Sequence, residues 1–131
     1  MRLLLDTHVL VWWLNADKKL GERARRAVES DAAGVWLSAA VFWEMSIKAA
    51  AGQLKFPVPF TQAVDRAREY TRFQPMSIDA AHATAAGALP LRHRDPFDRM
   101  LIAQAQLEDL TIVTSDAQFG DYDVPLLDAR A

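Results

Sequence analysis

The chain has 131 residues, 51% of them hydrophobic and 24% charged, the size and balance of one globular domain spanning residues 1–131 and too apolar for a disordered chain. It contains no cysteine, which excludes disulfide scaffolds, Cys-ligated zinc, iron–sulfur clusters and thiol catalysis. Fifteen Lys and Arg against 17 Asp and Glu give a net charge of −2, which on its own speaks against a nucleic-acid binder, since such proteins usually carry a basic excess.

In chain order, Arg2, Leu3, Leu4, Leu5 and Asp6 form a short apolar run closed by an acid, the pattern of a buried strand. Residues 7–15 carry Val9, Leu10, Trp12, Trp13 and Leu14 and predict a mostly buried helix. Residues 21–31 are charged with apolar spacing at Ala24, Ala27 and Val28, an exposed amphipathic helix. Residues 34–37 read as a second strand. Ser38 caps a helix expected to run to about Ala51 and to stop at Gly52. Pro57 and Pro59 mark a loop, because two alternate prolines fit neither a helix interior nor a central strand.

Residues 61–72 predict another amphipathic helix and residues 76–78 a third strand, with Pro75 just before it. Asp79 caps an Ala-rich helix ending at Gly87, and residues 89–94 form a loop with a basic centre. Asp95 and Pro96 open the best-marked helix, an Asp N-cap with proline at the first helical position; it is expected to end near Asp109. Residues 111–114 predict a fourth strand and residues 124–127 a fifth. Strands that alternate with helices, and that are mostly continuous apolar runs, imply a parallel sheet with helices on both faces. No repeat, low-complexity tract or interdomain linker interrupts the pattern. No apolar run approaches the ~20 residues needed to cross a bilayer, so no membrane contact is expected and the cytoplasm is the expected location.

Ligands of open parallel sheets bind at the carboxyl ends of the strands. Asp6 ends the first strand and Asp116 follows the fourth. Glu44 lies mid-helix among Phe42, Trp43, Met45 and Ile47, and Asp98 lies in a first helical turn ahead of Met100, Leu101 and Ile102. A carboxylate near a core is unfavourable unless paired or metal-bound. If the four acids converge, their repulsion demands a cation, and all-oxygen ligands select Mg2+ or Mn2+ rather than zinc. Such a site suits phosphodiester hydrolysis, in which the ion polarises a phosphoryl oxygen and activates water.

Each acid also has an ordinary structural role open to it. Glu44 and Lys48 have the i,i+4 spacing of a surface pair. Asp98 lies three residues after Asp95, as in a capping-box-like arrangement. Asp116 suits the cap of a turn through Gln118 and Phe119, and Asp6 the cap of the helix that starts at Thr7. His8 either lines a site or packs in its helix, and His82 is expected to be structural or exposed. His93, between Arg92 and Arg94, belongs to a basic patch or to a solvated loop. Trp12, Trp13, Trp36 and Trp43 all lie in apolar runs and are expected in the core rather than on a base-stacking surface. No dinucleotide fingerprint, Walker A loop or nucleophile elbow is present.

Leu3-Leu4-Leu5-Asp6-Thr7-His8, Trp43-Glu44 with Lys48, His93-Arg94-Asp95-Pro96-Phe97-Asp98-Arg99 and Thr114-Ser115-Asp116 together resemble the PIN-domain family, and within it the toxin ribonucleases of VapBC-type toxin–antitoxin modules. The likeness runs from about residue 2 to residue 127, and the order and spacing of the motifs are more specific than any one of them. It implies a three-layer α/β/α domain with a central parallel sheet of four to five strands, and a Mg2+- or Mn2+-dependent endoribonuclease acting as a toxin. It carries the acidic site over to Asp6, Glu44, Asp98 and Asp116, with Thr114 as a supporting hydroxyl. It also implies an RNA substrate, a cognate antitoxin protein, a homodimer, and contact with DNA only through the antitoxin.

By position, Arg92, Arg94, Arg99 and Lys48 are candidates to guide the RNA backbone by charge. Two other classes share an acidic pocket of this kind. A phosphoacceptor signalling domain would need a lysine past a late strand, and none follows Lys55. A catalytically inactive interaction module would not need all four acids. Setting the four site acids aside from the 17 leaves 13 facing 15 basic residues, so the surface an RNA would meet is mildly basic and the negative net charge does not exclude such a substrate.

Overall fold

The computed structural model describes residues 1–70 and 73–131. Five strands, β1 (Arg2–Leu5), β2 (Gly34–Ser38), β3 (Phe73–Met76), β4 (Thr111–Thr114) and β5 (Leu126–Asp128), alternate with six helices, α1 (Thr7–Leu14), α2 (Glu22–Glu29), α3 (Ala39–Ala50), α4 (Phe60–Glu69), α5 (Ala80–Ala88) and α6 (Pro96–Glu108). The strands form one sheet in the order β3-β2-β1-β4-β5, and every neighbouring pair is parallel. Leu4 of β1 lies opposite Trp36 of β2 on one side and Ile112 of β4 on the other.

The apolar runs form strands because both sheet faces are covered. Leu3, Leu4 and Leu5 of β1 and Ile112 and Val113 of β4 are fully buried, in one core with Val9, Leu10, Met45, Leu101 and Ile102. From β1 the chain steps to β2 and β3 in one direction, then returns past β1 to β4 and β5. Right-handed crossovers therefore set α1–α4 on one face and α5 and α6 on the other, giving three layers. The direction of winding reverses between β1 and β4. A crevice opens there at the carboxyl edge of the sheet, with Asp6 on one side and Asp116 on the other.

Three expected elements shift. The third strand is residues 73–76, not 76–78: Phe73 pairs with Val35 and Met76 with Ser38, and buried Phe73 anchors the strand earlier. Pro75 then sits inside the strand, which is tolerable because β3 is at the sheet edge and lacks a second neighbour that would need its N–H. The fifth strand is residues 126–128 rather than 124–127. The helix expected over residues 61–72 is α4, which ends at Glu69; residues 71 and 72 lie outside those described. A short 3-10 turn, Ala117–Asp121, follows β4. Among the described residues no helix is long and apolar enough to cross a membrane.

Leu4 is wholly buried in the central strand, between two paired neighbours that hold its surroundings in place. Leu4→Ala should therefore lower the unfolding free energy by about 2–5 kcal/mol, measured by urea denaturation; a loss below about 1 kcal/mol would contradict this placement of the core.

Candidate active site

The sheet delivers Asp6 to the crevice as the last residue of a buried run and as the N-cap of α1. Its Oδ1 accepts from the Thr7 backbone N–H at 2.7 Å, and its Oδ2 accepts from the Thr114 hydroxyl at 2.8 Å. Thr114 closes β4 and in turn accepts from the Asp116 backbone N–H at 3.0 Å, so one hydroxyl ties together the ends of two adjacent strands. The cap role expected for Asp6 is thus present, but it occupies only one carboxylate oxygen. Burial raises the Asp6 carboxyl above its ordinary pKa, against the lowering effect of the Thr114 hydrogen bond.

Glu44 projects from α3, the helix that starts where β2 ends, and its side chain is buried. It accepts from the Thr7 hydroxyl at 2.5 Å through Oε1 and pairs with Lys48 Nζ at 2.8 Å through Oε2. The i,i+4 pair with Lys48 therefore exists, yet it is no surface pair on the acid's side. The hydrogen bond that Lys48 donates to Glu44 raises the Lys48 pKa, which keeps this ammonium charged. Facing Glu44 inward turns Trp43 about 100° away on the helix. Trp43 is 62% exposed, its ring edge against Phe97 at a centroid distance of 5.2 Å. It departs from the expected core placement, whereas Trp12 is buried and Trp13 and Trp36 pack against the core.

Asp98 enters on the first turn of α6. Asp95 supplies the N-cap, accepting from the Phe97 and Asp98 backbone N–H groups at 2.9 and 3.2 Å. The carboxyl of Asp98 does not complete that cap. Its Oδ2 is hydrogen-bonded to His93 Nε2 at 2.7 Å. Burial is the main reason its pKa is pushed up to about 8, with the charges of Asp6, Asp95, Glu44 and Asp116 adding to it. Asp116 caps the 3-10 turn as expected, accepting from the Gln118 N–H at 2.9 Å through Oδ1. Its Oδ2 lies 3.8 Å from His93 Nε2. Ligand atoms of His93, Asp98 and Asp116 all lie within 4.8 Å of one another. All four acids thus reach one crevice, and His93 joins them.

His93 lies inside the site rather than in a solvated basic loop, its side chain only 10% exposed. The local signal was a histidine beside an Asp-Pro cap. Its two arginine neighbours leave a charge patch and a solvated loop equally open, and tertiary contacts, Phe119 among them, turn the ring inward. Thr7 likewise gave no signal beyond following Asp6. His8 is at the rim, with Nδ1 4.0 Å from Asp6 Oδ2 and a side chain 61% exposed. His82 is buried, in a reciprocal capping box with Asp79 at the start of α5.

The four basic candidates separate. Lys48 faces Glu44. Arg94 is exposed, and Arg92 is exposed with its guanidinium donating to Asp121 O at 2.7 Å. Arg99 turns inward instead, donating to the carbonyls of Pro90, His93, Ala86 and Leu89 and to the Tyr122 hydroxyl. With its donors taken by the protein, it does not offer the charged surface expected of it.

With the crevice defined, the family follows. Residues 3–125 match the PIN domain family, and the chain belongs to it. It is 29% identical over 126 residues to Ribonuclease VapC22 of Mycobacterium tuberculosis (strain ATCC 25618 / H37Rv), covering 94% of this chain and 93% of that one. Its fold is similar to the crystal structure of VapBC2 from Rickettsia felis bound to a DNA fragment from their promoter, with a TM-score of 0.71, 16% identity and coverage of 97% and 98% of the two chains. It is also similar to a toxin–antitoxin complex from Klebsiella pneumoniae, with a TM-score of 0.68, 19% identity and 97% of each chain covered.

Because the Asp98 carboxyl is raised in the folded protein, the native state holds more protons than the unfolded chain from about pH 4 to about pH 8. Stability contributed by this group is therefore complete below pH 4 and is lost as the pH rises towards 8, and Asp6 adds a change of the same sign. In metal-free protein, the Tm should fall between pH 5 and pH 8, and Asp98→Asn should flatten that fall. A wild-type Tm that rises across this range, or an unchanged slope in the variant, would contradict it; scanning calorimetry at several pH values measures both.

Proposed function

We propose that this PIN domain protein is a Mg2+- or Mn2+-dependent endoribonuclease that acts in the cytoplasm as the toxin of a toxin–antitoxin pair. The observation that carries this reading is the meeting of Asp6, Glu44, Asp98 and Asp116 in one crevice, where burial and mutual charge push the Asp98 carboxyl up to about 8. Acids that resist ionisation together are stabilised by a cation. A donor set of carboxylate oxygens suits a hard divalent ion. Similarity to a ribonuclease over nearly the full length, and the shared fold with toxin–antitoxin complexes, support the same reading.

Asp6 and Asp98 are the direct ligands in this proposal, and Glu44 and Asp116 complete the cluster directly or through water. When bound, the ion supplies Lewis-acid charge to the phosphodiester and makes water a nucleophile near neutral pH. The chain's own residues hold the geometry. The Thr114 hydroxyl and the Thr7 N–H fix both oxygens of Asp6, and the Thr7 hydroxyl and Lys48 fix those of Glu44. A carboxylate so held loses little freedom when it takes up a ligand. Lys48 also partly offsets the negative charge that a phosphodiester meets, and exposed Arg92 and Arg94 attract the RNA backbone by charge. The partners are an RNA substrate, a cognate antitoxin and a second copy of the chain, with DNA reached only through the antitoxin.

Purified antitoxin-free protein should cleave defined RNAs in Mg2+ and stop in EDTA. Asp6→Asn and Asp98→Asn should each lower cleavage by more than about 100-fold, beyond the 10–100-fold typical of disturbing a metal site's outer partners, while circular dichroism shows an intact fold. Full cleavage by folded Asp98→Asn, or cleavage indifferent to EDTA, would overturn the mechanism.

A further inference from the structure

The loop between α5 and α6 is held in place by two side chains from elsewhere in the fold. The Tyr122 hydroxyl, just after the 3-10 turn, accepts from the backbone N–H groups of Arg92 and His93 at 3.1 and 2.8 Å and donates to Pro90 O at 2.7 Å. Arg99, one residue past Asp98, donates through Nη1 to Pro90 O at 3.1 Å, His93 O at 3.2 Å and the Tyr122 hydroxyl at 3.4 Å. Through Nη2 it donates to Ala86 O at 2.9 Å and Leu89 O at 3.0 Å. Tyr122 is buried. Both the N–H and the C=O of His93 are therefore fixed, and its ring is set edge-on against Phe119 at a centroid distance of 6.2 Å. The outcome is the 2.7 Å contact between His93 Nε2 and Asp98 Oδ2.

A loop needs no such concentration of bonds merely to join two helices. Connections of this length are ordinarily left on the surface with their carbonyls in water. Here one guanidinium and one phenol gather three loop carbonyls, one carbonyl from the last turn of α5 and two loop amides around a single imidazole, which meets one acid of the site.

We propose that Tyr122 and Arg99 are positioning residues: they lock the loop segment 89–93 so that His93 holds the Asp98 carboxyl in the orientation that receives a divalent cation. The proposal rests on the cation reading of the acidic crevice and adds a device that the four acids do not contain. Partners that orient a metal ligand typically change metal affinity by 10–100-fold when removed. Tyr122 acts at one further remove, through His93, and its loss falls at the lower end of that range.

The test uses the whole protein and Mn2+ alone, with binding followed by calorimetry and by the electron paramagnetic resonance signal of the free ion. Tyr122→Phe keeps the ring and removes only the hydroxyl. It should weaken Mn2+ binding about tenfold, and faster hydrogen exchange at the Arg92 and His93 amides should report the released loop. Arg99→Lys, which keeps the charge and loses the fork, should do the same. His93→Gln should weaken binding at least as much, and the Tyr122→Phe/His93→Gln double variant should be no worse than His93→Gln alone, because both act along one path. Unchanged Mn2+ affinity in Tyr122→Phe despite released amides would overturn the proposal, as would additive losses in the double variant. Should wild type itself bind no Mn2+, the cation reading fails and this proposal with it, a result distinct from normal wild-type binding that the loop variants leave untouched.

Discussion

Carboxylates crowded at one edge of a sheet repel one another, and the surroundings of this crevice are arranged around that repulsion. A carboxylate taken out of water is unfavourable unless it is hydrogen-bonded or paired, and here each acid has dedicated partners. Asp6 has the Thr114 hydroxyl and the start of α1, Glu44 has Thr7 and Lys48, Asp98 has His93, and Asp116 has the turn that it caps. These partners orient the groups without neutralising them fully, since Asp98 still titrates near 8 and Asp6 is also raised. The remaining imbalance is what a divalent cation would relieve. Local instability of this kind persists where the rest of the fold supports it, and the fully buried Leu3, Leu4 and Leu5 of β1 and Ile112 and Val113 of β4 supply that support.

The fold was legible because its determinants are local. Continuous apolar runs marked the parallel strands, and Asp6, Ser38, Asp79 and Asp95 marked four helix starts through caps that the structure contains. The third strand was displaced because Pro75 was read as a boundary, whereas pairing with β2 fixes the strand by its partner rather than by its own residues. The meeting of Asp6 and Asp116 was legible too, as strand-end acids on either side of the reversal in winding. Glu44 and Asp98 stood out as charges in apolar company.

Contacts between distant segments were not legible. Position alone makes Arg99 a candidate substrate-facing cation, but its acceptors are carbonyls 6–13 residues earlier and a tyrosine 23 residues later. His93 and Tyr122 are 29 residues apart, and neither carries a sign of the other in its local pattern. Trp43 was misplaced for a related reason. An apolar stretch does not say which way each side chain faces, and on α3 the inward position goes to a glutamate. The same geometry explains why the net charge misleads. The acids gather in a crevice, so the chain's overall sign describes neither that crevice nor the surface around Arg92 and Arg94.

The central claim, that the crevice holds a divalent ion on Asp6 and Asp98, is open to direct observation. Crystals soaked in Mn2+ would be examined by anomalous diffraction at a wavelength where manganese scatters strongly. A peak at roughly 2.1–2.2 Å from carboxylate oxygens of both Asp6 and Asp98, near the distances of hard-cation coordination, with Glu44 and Asp116 around it, is the expected result. A map without a peak in the crevice, or with manganese only at surface acids, would contradict it.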